Sequence, residues 1–376
     1  MKKFAAIVIA LSLTALSACG VSASPVSTPG PAETAEPENT PRSVIGFEIL
    51  TEAAKCGTGD LYTYAYPRLK VDTGTETGSV LTEELSAALT PTEGTLSDVD
   101  AAARDAYDAL DEAGKLDWMG VGYGFYRKAE LMRCDGRVLS LLVSDSRSLG
   151  APHPSNSGFG LTYDLEDGRR LSVADIAEEP DALRKEVEDY ILDSAMENVG
   201  APTFYGLSDF AAGVLDSDQW YLSDGGLVAF AAPEEIAPYA VGSVVFDIPY
   251  SELEGLIKPE YLPVASPESG AGTLKISAGS SGAACSAVLD EGGVEFSLTA
   301  SQEVRDICIH RVSMDTDGSF YPQELVLYVS RLGGGESLGL TAAFMDSPLY
   351  SVSWGEGESR LIADSGKDGS LLLLEP

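Results

Sequence analysis

The fold is decided by residues 119–143, which read MGVGYGFYRKAELMRCDGRVLSLLV. From Val121 to Phe125, large side chains alternate with glycine, which is the period of two typical of a β-strand. Asp135-Gly136 is a two-residue hairpin signal, and a second apolar run follows at Val138–Val143. The stretch therefore predicts two antiparallel strands joined by a tight turn.

Further strands are predicted on both sides of this hairpin. Upstream, the run Leu61–Tyr66 places Tyr62, Tyr64 and Tyr66 on one strand face. Pro67 then either ends the pairing or places the strand at a sheet edge. Downstream strands are predicted at Phe159–Leu165, Trp220–Leu222, Leu227–Phe230 and Val244–Ile248.

Two amphipathic helices accompany these strands. Apolar residues spaced by four and three predict a helix over Asp98–Ala113, with Ser97 as its N-cap and Gly114 as its C-cap. Pro180 is well placed to begin a second helix, whose inward residues are Leu183, Val187, Ile191 and Ala195. Strands gathered around two main helices predict an α+β fold with a mostly antiparallel sheet over residues 44–263.

The C-terminal part of the chain shows no helical periodicity. Residues 264–272 are rich in Pro, Ser, Gly and Ala, and are predicted to be a linker. Short apolar runs over 273–376 then predict a β-sandwich-like domain. Its predicted strands are Thr273–Ser277, Val294–Thr299, Ile307–Val312, Leu325–Val329, Leu338–Phe344, Tyr350–Trp354 and Leu371–Leu374.

The N-terminus is typical of a lipoprotein precursor. Lys2 and Lys3 precede an uncharged apolar run, and Leu16-Ser17-Ala18-Cys19 resembles the bacterial lipobox, in which the cysteine is diacylated. Residues 1–18 are thus predicted to be a signal peptide and Cys19 a lipid anchor on the extracytoplasmic side of the membrane. An ordinary secretory signal is the alternative. The proline-rich residues 19–43 are predicted to form a disordered tether.

The charge of the chain restricts its partners. The formal net charge is −35, and without Lys2 and Lys3 it becomes 22 − 59 = −37. Such a chain repels nucleic acid phosphates and anionic headgroups, so we expect no nucleic acid partner and attachment through lipid alone. It can attract a cationic protein, although acidity that only maintains solubility is the simpler alternative.

Four cysteines remain besides Cys19. An even number outside the cytoplasm permits disulfides, and pairing within each half predicts Cys56–Cys134 and Cys285–Cys308. Free buried thiols are the alternative, because domains of this size need no covalent staples.

Several motifs of the first domain resemble a known family. They are Gly150-Ala151-Pro152-His153-Pro154, Leu161–Ile176, Trp220–Leu222, Glu235–Gly242 and Ile248–Leu253. In this order they resemble the extracytoplasmic domain shared by the RsiV anti-sigma factor and the PdaC peptidoglycan deacetylase, over about Val44 to Pro263. The resemblance implies an α+β fold and, by analogy with the RsiV receptor, binding of lysozyme.

The sequence also departs from that family. Pro233-Glu234-Glu235 replaces a common aromatic before the Glu-Ile-Ala-Pro-Tyr run, and Pro152 replaces a small residue before His153-Pro154. Anchoring at Cys19 would leave no cytoplasmic sigma-binding segment, so direct anti-sigma activity is not expected.

No catalytic motif is evident. The two histidines, His153 and His310, fall in different predicted domains, and no zinc, phosphate-loop or dinucleotide motif is present. Cys308 and His310 share a strand face, which more often reflects core packing than a nucleophile. We therefore expect a non-catalytic protein without cofactor or metal. The alternative is a peptidoglycan-modifying enzyme or an accessory subunit of one.

Six residues are candidates for ligand binding. They are Tyr62, Tyr64, Tyr66, His153, Glu235 and Tyr239. The tyrosines form either an exposed contact face or part of a core, and His153 is either a presented contact group or part of a plain turn. Convergence of the tyrosine face, His153 and the Glu235–Tyr239 loop on one open cleft would support a binding site, and separate burial of all three would exclude it.

Overall fold

The computed structural model describes residues 7–10, 42–56, 59–197, 203–263, 272–314, 320–343, 350–355, 358–364 and 371–374. Residues 7–10 of the predicted signal and residues 42–43 of the predicted tether belong to this set, whereas Cys19, the other residues of both segments, and linker residues 264–271 lie outside it.

The described elements are numbered in chain order. The strands are β1 (Ile7–Ala10), β2 (Val44–Cys56), β3 (Gly59–Asp72), β4 (Tyr123–Cys134), β5 (Val138–Leu149), β6 (Ser155–Asp164), β7 (Trp220–Leu222), β8 (Gly226–Ala231), β9 (Ser243–Pro249), β10 (Leu274–Ala278), β11 (Cys285–Val288), β12 (Val294–Ala300), β13 (Val304–Met314), β14 (Phe320–Leu332), β15 (Ser337–Ala342), β16 (Tyr350–Trp354), β17 (Glu358–Asp364) and β18 (Leu371–Leu374). The helices are α1 (Glu76–Leu89), α2 (Glu93–Asp108), α3 (Glu112–Leu116), α4 (Val173–Ile176), α5 (Pro180–Glu197) and α6 (Leu207–Gly213).

One large sheet contains strands from both the N-terminal and the C-terminal half of the described chain. Its ten strands lie in the order β18-β17-β16-β13-β14-β2-β3-β4-β5-β6, and β14 joins β2 where Leu327 pairs with Gly46. Two four-stranded sheets accompany it, in the orders β1-β9-β8-β7 and β10-β12-β15-β11. The α+β prediction with mostly antiparallel pairing is confirmed. The large sheet passes from the predicted first domain into the second without a break.

The N-terminal half is layered around β5. Leu139 and Leu141 face α1, whose Leu81 and Leu85 are fully buried against them. Leu142 points to the opposite face, because side chains alternate along a strand, and packs under the small sheet of β7 to β9. The outer face of that sheet is covered by α5, whose predicted stripe of Leu183, Val187 and Ile191 is buried.

The small sheet approaches β6 very closely at one glycine. Gly160 donates its N–H to the carbonyl of Asp218 at 2.6 Å. A Cβ at this position would lie only 1.7 Å from the carbonyl oxygen of Trp220. Glycine is therefore required where the chain crosses the sheet edge to enter β7.

The C-terminal half packs two sheets face to face. Phe296 and Leu298 of β12 and Leu340 of β15 meet Ile309 of β13 and Val352 of β16 in one buried cluster. The predicted strands are all present in this sandwich. Two short strands, β11 and β17, were not predicted.

The first predicted helix has the wrong bounds. In the structure α2 begins at Glu93, and its N-cap is Thr92 instead of Ser97. The Thr92 hydroxyl accepts the backbone N–H of Thr95 and so caps the first turn of the helix. The helix ends at Asp108, and a separate short helix, α3, follows, with Asp111 as its N-cap. Gly114 lies inside α3 and caps nothing.

The structure decides two further predictions, one about Pro67 in β3 and one about the turn after β4. At Pro67, β3 has only β2 as a hydrogen-bonded neighbour, because pairing with β4 is confined to Thr63–Ala65. The edge alternative for Pro67 is therefore correct. Three residues, Asp135 to Arg137, separate β4 from β5, one more than the predicted two-residue turn, and Asp135 Oδ1 accepts the N–H groups of both Arg137 and Val138.

A buried ion pair joins the large sheet to α1. Arg127 makes two 2.7 Å hydrogen bonds to the carboxylate of Asp145 on the next strand, and both side chains are almost fully buried. Its third nitrogen donates to the C-terminal carbonyls of α1 at Ala88 and Leu89, 3.2 and 3.1 Å away. The guanidinium also lies over the rings of Phe125 and Phe159.

We predict that Asp145→Ala lowers the free energy of unfolding by about 3–5 kcal/mol, because it leaves Arg127 buried without its counterion. Urea denaturation measures this change. The matched control is Asp189→Ala, which removes the exposed partner of Lys185 in α5 and should cost less than about 1 kcal/mol. Equal losses in the two variants would contradict a special role for the buried pair.

Candidate functional site

Two predicted site residues, far apart in sequence, touch at the surface. The rings of His153 and Tyr239 have centroids 4.9 Å apart and are inclined by 37°. His153 is exposed in the turn between β5 and β6, whereas Tyr239 is half-buried at the start of a short 3-10 turn, Tyr239–Val241. Their contact brings the hairpin tip against the loop between β8 and β9.

The loop that carries Tyr239 is held in place by another tyrosine. The hydroxyl oxygen of Tyr205 lies 2.6 Å from the carbonyl oxygen of Glu234 and 2.7 Å from that of Ala237. Ile236 is buried in the core under α5, and its carbonyl accepts the N–H of Tyr205. The loop is thus fixed from below while Tyr239 reaches the surface.

Glu235 has a local structural role. Its carboxylate accepts the backbone N–H of Ala232 at 2.8 Å and the side-chain amide of Gln219 at 2.6 and 2.7 Å. These bonds close the turn before the Tyr239 segment. The predicted site therefore brings together His153 and Tyr239, and Glu235 supports the loop.

The three tyrosines of β3 lie mostly in a core. Tyr62 and Tyr66 are buried, and Tyr64 is half-buried between them, with the ring of Tyr66 stacked at 6.2 Å. Tyr62 packs with Val99 and Ala103 of α2 and with Phe125 of β4. The exposed-face interpretation is wrong, because α2 covers part of this strand face.

A carboxylate missed in the sequence organises the tyrosine row. Glu52 pairs with Tyr64 across β2 and β3, and accepts the hydroxyls of Tyr64 at 2.6 Å and Tyr66 at 2.7 Å. These two bonds hold the pKa of Glu52 below its usual value. The same contact raises the pKa of Tyr64 to about 12, because its phenolate would lie beside a carboxylate. The cross-strand register is the signal that would have identified Glu52.

The Leu161–Ile176 motif has a structural role. Asp164 is fully buried at the end of β6. Its carboxylate lies 2.8 Å from the Arg137 guanidinium and accepts the Tyr261 hydroxyl at 3.2 Å, and so connects β6 to the segment around Tyr261. Burial nevertheless raises the pKa of Asp164. Asp175 accepts the N–H of Ser172 and forms a capping box at the start of α4.

The predicted disulfides are not formed. Cys56, Cys134, Cys285 and Cys308 are all free thiols. Cys56 packs in the cluster under α2 and Cys134 in the cluster under α1; Cys285 and Cys308 are likewise separated between two clusters. The two cysteines of each predicted pair therefore lie in different hydrophobic clusters. The alternative prediction, free thiols, is the one the structure supports.

The Cys308-x-His310 pair does not favour nucleophilic chemistry. Burial raises the pKa of the Cys308 thiol to about 12 and lowers that of His310. A thiol with such a pKa is protonated near neutral pH, whereas a nucleophilic cysteine needs its thiolate.

Within the described ranges, no group of three His, Cys, Asp or Glu side chains is placed to hold a metal ion. Over the same residues, no helix is long and apolar enough to cross a membrane.

The region that carries Tyr239 matches a known family. Residues 175–251 match the family described as protein of unknown function DUF3298. This match contains α5, α6, the strands β7 to β9 and the loop with Glu235 and Tyr239. His153 lies outside it.

Two solved structures are similar to the chain. One is a DUF3298 family protein from Pseudomonas aeruginosa PAO1, with 17% identity, 58% of this chain and 97% of that chain covered, and a TM-score of 0.37. The other is a DUF3298 family member from Bacteroides fragilis NCTC 9343, with 17% identity, coverage of 59% and 96%, and a TM-score of 0.42. No curated protein matches the chain.

We predict that Glu52→Gln lowers the pKa of Tyr64 from about 12 towards the usual tyrosine value, because a neutral amide no longer opposes the phenolate. Absorbance titration of tyrosinate detects the change as an earlier rise in the alkaline range. Glu48→Gln is the matched control, since Glu48 lies on the same strand but pairs with Arg68. An unchanged titration in the Glu52 variant would contradict the assigned contact.

The lowered pKa of Glu52 also fixes the sign of its effect on stability. A carboxyl whose pKa is lower in the folded state stabilises the fold above its unfolded pKa, and this contribution is lost as the pH falls through the folded value. The wild-type protein should therefore be more stable than Glu52→Gln at neutral pH, and urea denaturation at decreasing pH should show this difference shrinking as the pH falls below the usual glutamate pKa and through the lowered one.

Proposed function

We propose that the protein is a non-catalytic binding protein of the bacterial cell surface. In this proposal Cys19 carries the lipid anchor on the extracytoplasmic side, and the region over residues 44–263 binds an extracellular protein or cell-wall ligand. A cationic protein, with lysozyme as the sharpest candidate, fits the acidity of the chain and the resemblance to the RsiV receptor domain.

The His153–Tyr239 pair is the observation that carries this proposal. Exposed aromatic rings held on a fixed backbone are effective contact groups, because they bury a large area while losing little conformational entropy. Pro152 and Pro154 stiffen the backbone on either side of His153. Tyr205 fixes the loop of Tyr239 from the other side. Both rings are therefore presented before any ligand binds.

The charge of the chain supports a basic partner. A formal net charge of −35 attracts cationic proteins over distances of about a Debye length and raises their association rate. Such attraction weakens with salt, which gives the binding a recognisable signature.

We predict that purified protein binds lysozyme in a calorimetric titration at low ionic strength, and binds it more weakly at physiological ionic strength. His153→Ala combined with Tyr239→Ala should weaken binding at least tenfold, as for a contact at the centre of an interface. Tyr321→Ala, which removes an exposed tyrosine of β14, is the matched control and should leave the affinity unchanged.

Absence of binding at both ionic strengths would exclude lysozyme as the ligand. Release of soluble fragments from purified peptidoglycan by the protein alone would instead favour the peptidoglycan-modifying enzyme.

We also predict that cells expressing the protein incorporate a labelled fatty acid into it, and that Cys19→Ala abolishes the label because the acylated thiol is lost. Cys56→Ala is the control and should retain it. Equal labelling of the Cys19→Ala protein would exclude the lipid anchor at this residue.

A further inference from the structure

A short loop before β4 exposes three large apolar side chains together. Residues 116–121, the last residue of α3 and the loop that follows it, are here called the apolar loop and contain Leu116 at 88%, Met119 at 81% and Val121 at 81% exposure. The sequence pattern predicted Val121 within the strand, but β4 begins only at Tyr123. Large apolar residues that are exposed as a group, and not singly, mark interaction surfaces.

The apolar loop is anchored, so its exposure does not reflect a loose segment. Trp118 lies at its centre and donates its indole N–H to the carbonyl of Leu61 at 3.0 Å. The Trp118 ring packs edge-on against Tyr107 of α2 at 5.7 Å, and lies 5.6 Å from the Tyr123 ring with the two planes inclined by 31°. One aromatic side chain is thus fixed inward while its neighbours point outward.

The backbone of the loop is equally constrained. Gly120 has φ +65° and is buried, and a Cβ there would lie 2.7 Å from the carbonyl oxygen of Leu61. The loop therefore passes directly over β3, where no other residue fits at this position. A constrained backbone presents Met119 and Val121, on either side of Gly120, so that little backbone entropy is lost on binding.

Acidic side chains surround the apolar loop in the chain. Asp117 lies within it, and Asp108, Asp111 and Glu112 precede it at the end of α2 and the start of α3; all four are exposed. The one cation nearby in the chain, Lys115, lies over the Tyr107 ring at 5.6 Å. The exposed apolar side chains are therefore flanked in the chain by exposed acidic groups, which we call the acidic rim.

We infer that the apolar loop is a docking surface for a basic protein that offers an apolar pocket ringed by Lys or Arg side chains. The apolar side chains would fill the pocket, and the acidic rim would pair with the basic ring, as in interfaces with a central hot spot and a polar rim. A second copy of this chain would place like charges opposite each other. An anionic membrane would meet the same repulsion.

The end of the apolar loop is hydrogen-bonded to the turn that carries His153. The N–H of Gly150, at the start of the turn that contains His153, donates to the carbonyl of Gly122 at 2.9 Å. The inference thus deepens the proposed binding function, on which it rests, by extending the contact surface and specifying the chemistry of the partner. It does not require that the partner is lysozyme.

The test uses the purified full-length protein and three synthetic probes. These are an amphipathic peptide of lysine and leucine, its counterpart of glutamate and leucine, and a lysine-only peptide of the same charge as the first. The loop variant combines Leu116→Ser, Met119→Ser and Val121→Ser. The matched control combines Val80→Ser, Met196→Ser and Val288→Ser, which removes three exposed apolar side chains elsewhere.

We predict that the wild-type protein binds the lysine–leucine peptide most tightly, and that the loop variant binds it at least tenfold more weakly. The control should retain wild-type affinity, and the lysine-only peptide should bind both variants alike. Both should also melt within a few degrees of the wild type, because the substituted side chains lie outside the core. Equal binding of the lysine–leucine peptide to the loop variant and the wild type would overturn the inference.

A second variant keeps the inference testable if the loop variant misfolds. Asp108→Asn, Glu112→Gln and Asp117→Asn remove rim charges and leave the N-cap Asp111 in place. This variant should bind the lysine–leucine peptide several-fold more weakly at low salt and show a smaller salt dependence than the wild type. An unchanged salt dependence would argue against the charged rim.

The remaining outcomes separate this inference from the proposed function. If the loop variant binds the lysine–leucine peptide more weakly than the wild type and neither binds lysozyme, the apolar loop is supported as a docking surface and lysozyme is excluded as the partner. If the protein binds lysozyme and the loop variant binds both lysozyme and the peptide like the wild type, the inference about the apolar loop is wrong. The proposed function would be unaffected by that result. Loop-dependent dimerisation in analytical ultracentrifugation, or loop-dependent binding to phosphatidylcholine vesicles, would replace the basic protein with a second copy or a membrane.

Discussion

The packing of α1 on the large sheet is tied to the burial of one guanidinium group. Arg127 can lie inside the protein only because Asp145, the last carbonyls of α1 and two aromatic faces meet it at the same time. A change in strand register or in the position of α1 would leave a buried charge unpaired. The requirement therefore selects one arrangement of helix and sheet, and leaves the opposite face of the sheet for β7 to β9.

The sequence predicts elements well where one local signal dominates. Helix α5 has a regular apolar period and a proline at its start, and it is found where expected. Helix α1 was missed although Leu81, Leu85 and Leu89 recur every four residues, because Thr and Ser interrupt the pattern. The start of α2 was misplaced because Thr92 and Ser97 are both acceptable N-caps, and only the folded geometry decides between them.

The sequence offered His153 and Tyr239 as candidates but could not predict that they touch. His153 and Tyr239 are far apart in sequence, and their contact follows from the docking of the small sheet at Gly160. The exposure of the β3 tyrosines could not be predicted, because the alternation of side chains along a strand does not show which face of the sheet a helix will cover. The apolar loop could not be identified, since Leu, Met and Val normally indicate a core, and its exposure is set by Trp118 and Gly120.

The continuous sheet has a mechanical consequence. The chain enters it at β2, an interior strand that pairs with β14 on one side and β3 on the other. Hydrogen bonds of antiparallel strands run perpendicular to the strand direction. A pull from the N-terminal side along β2 therefore loads these rows of bonds in shear, so that many must fail together. A tension that reaches Arg42 would be shared between the two halves of the molecule and not concentrated at the connection between them.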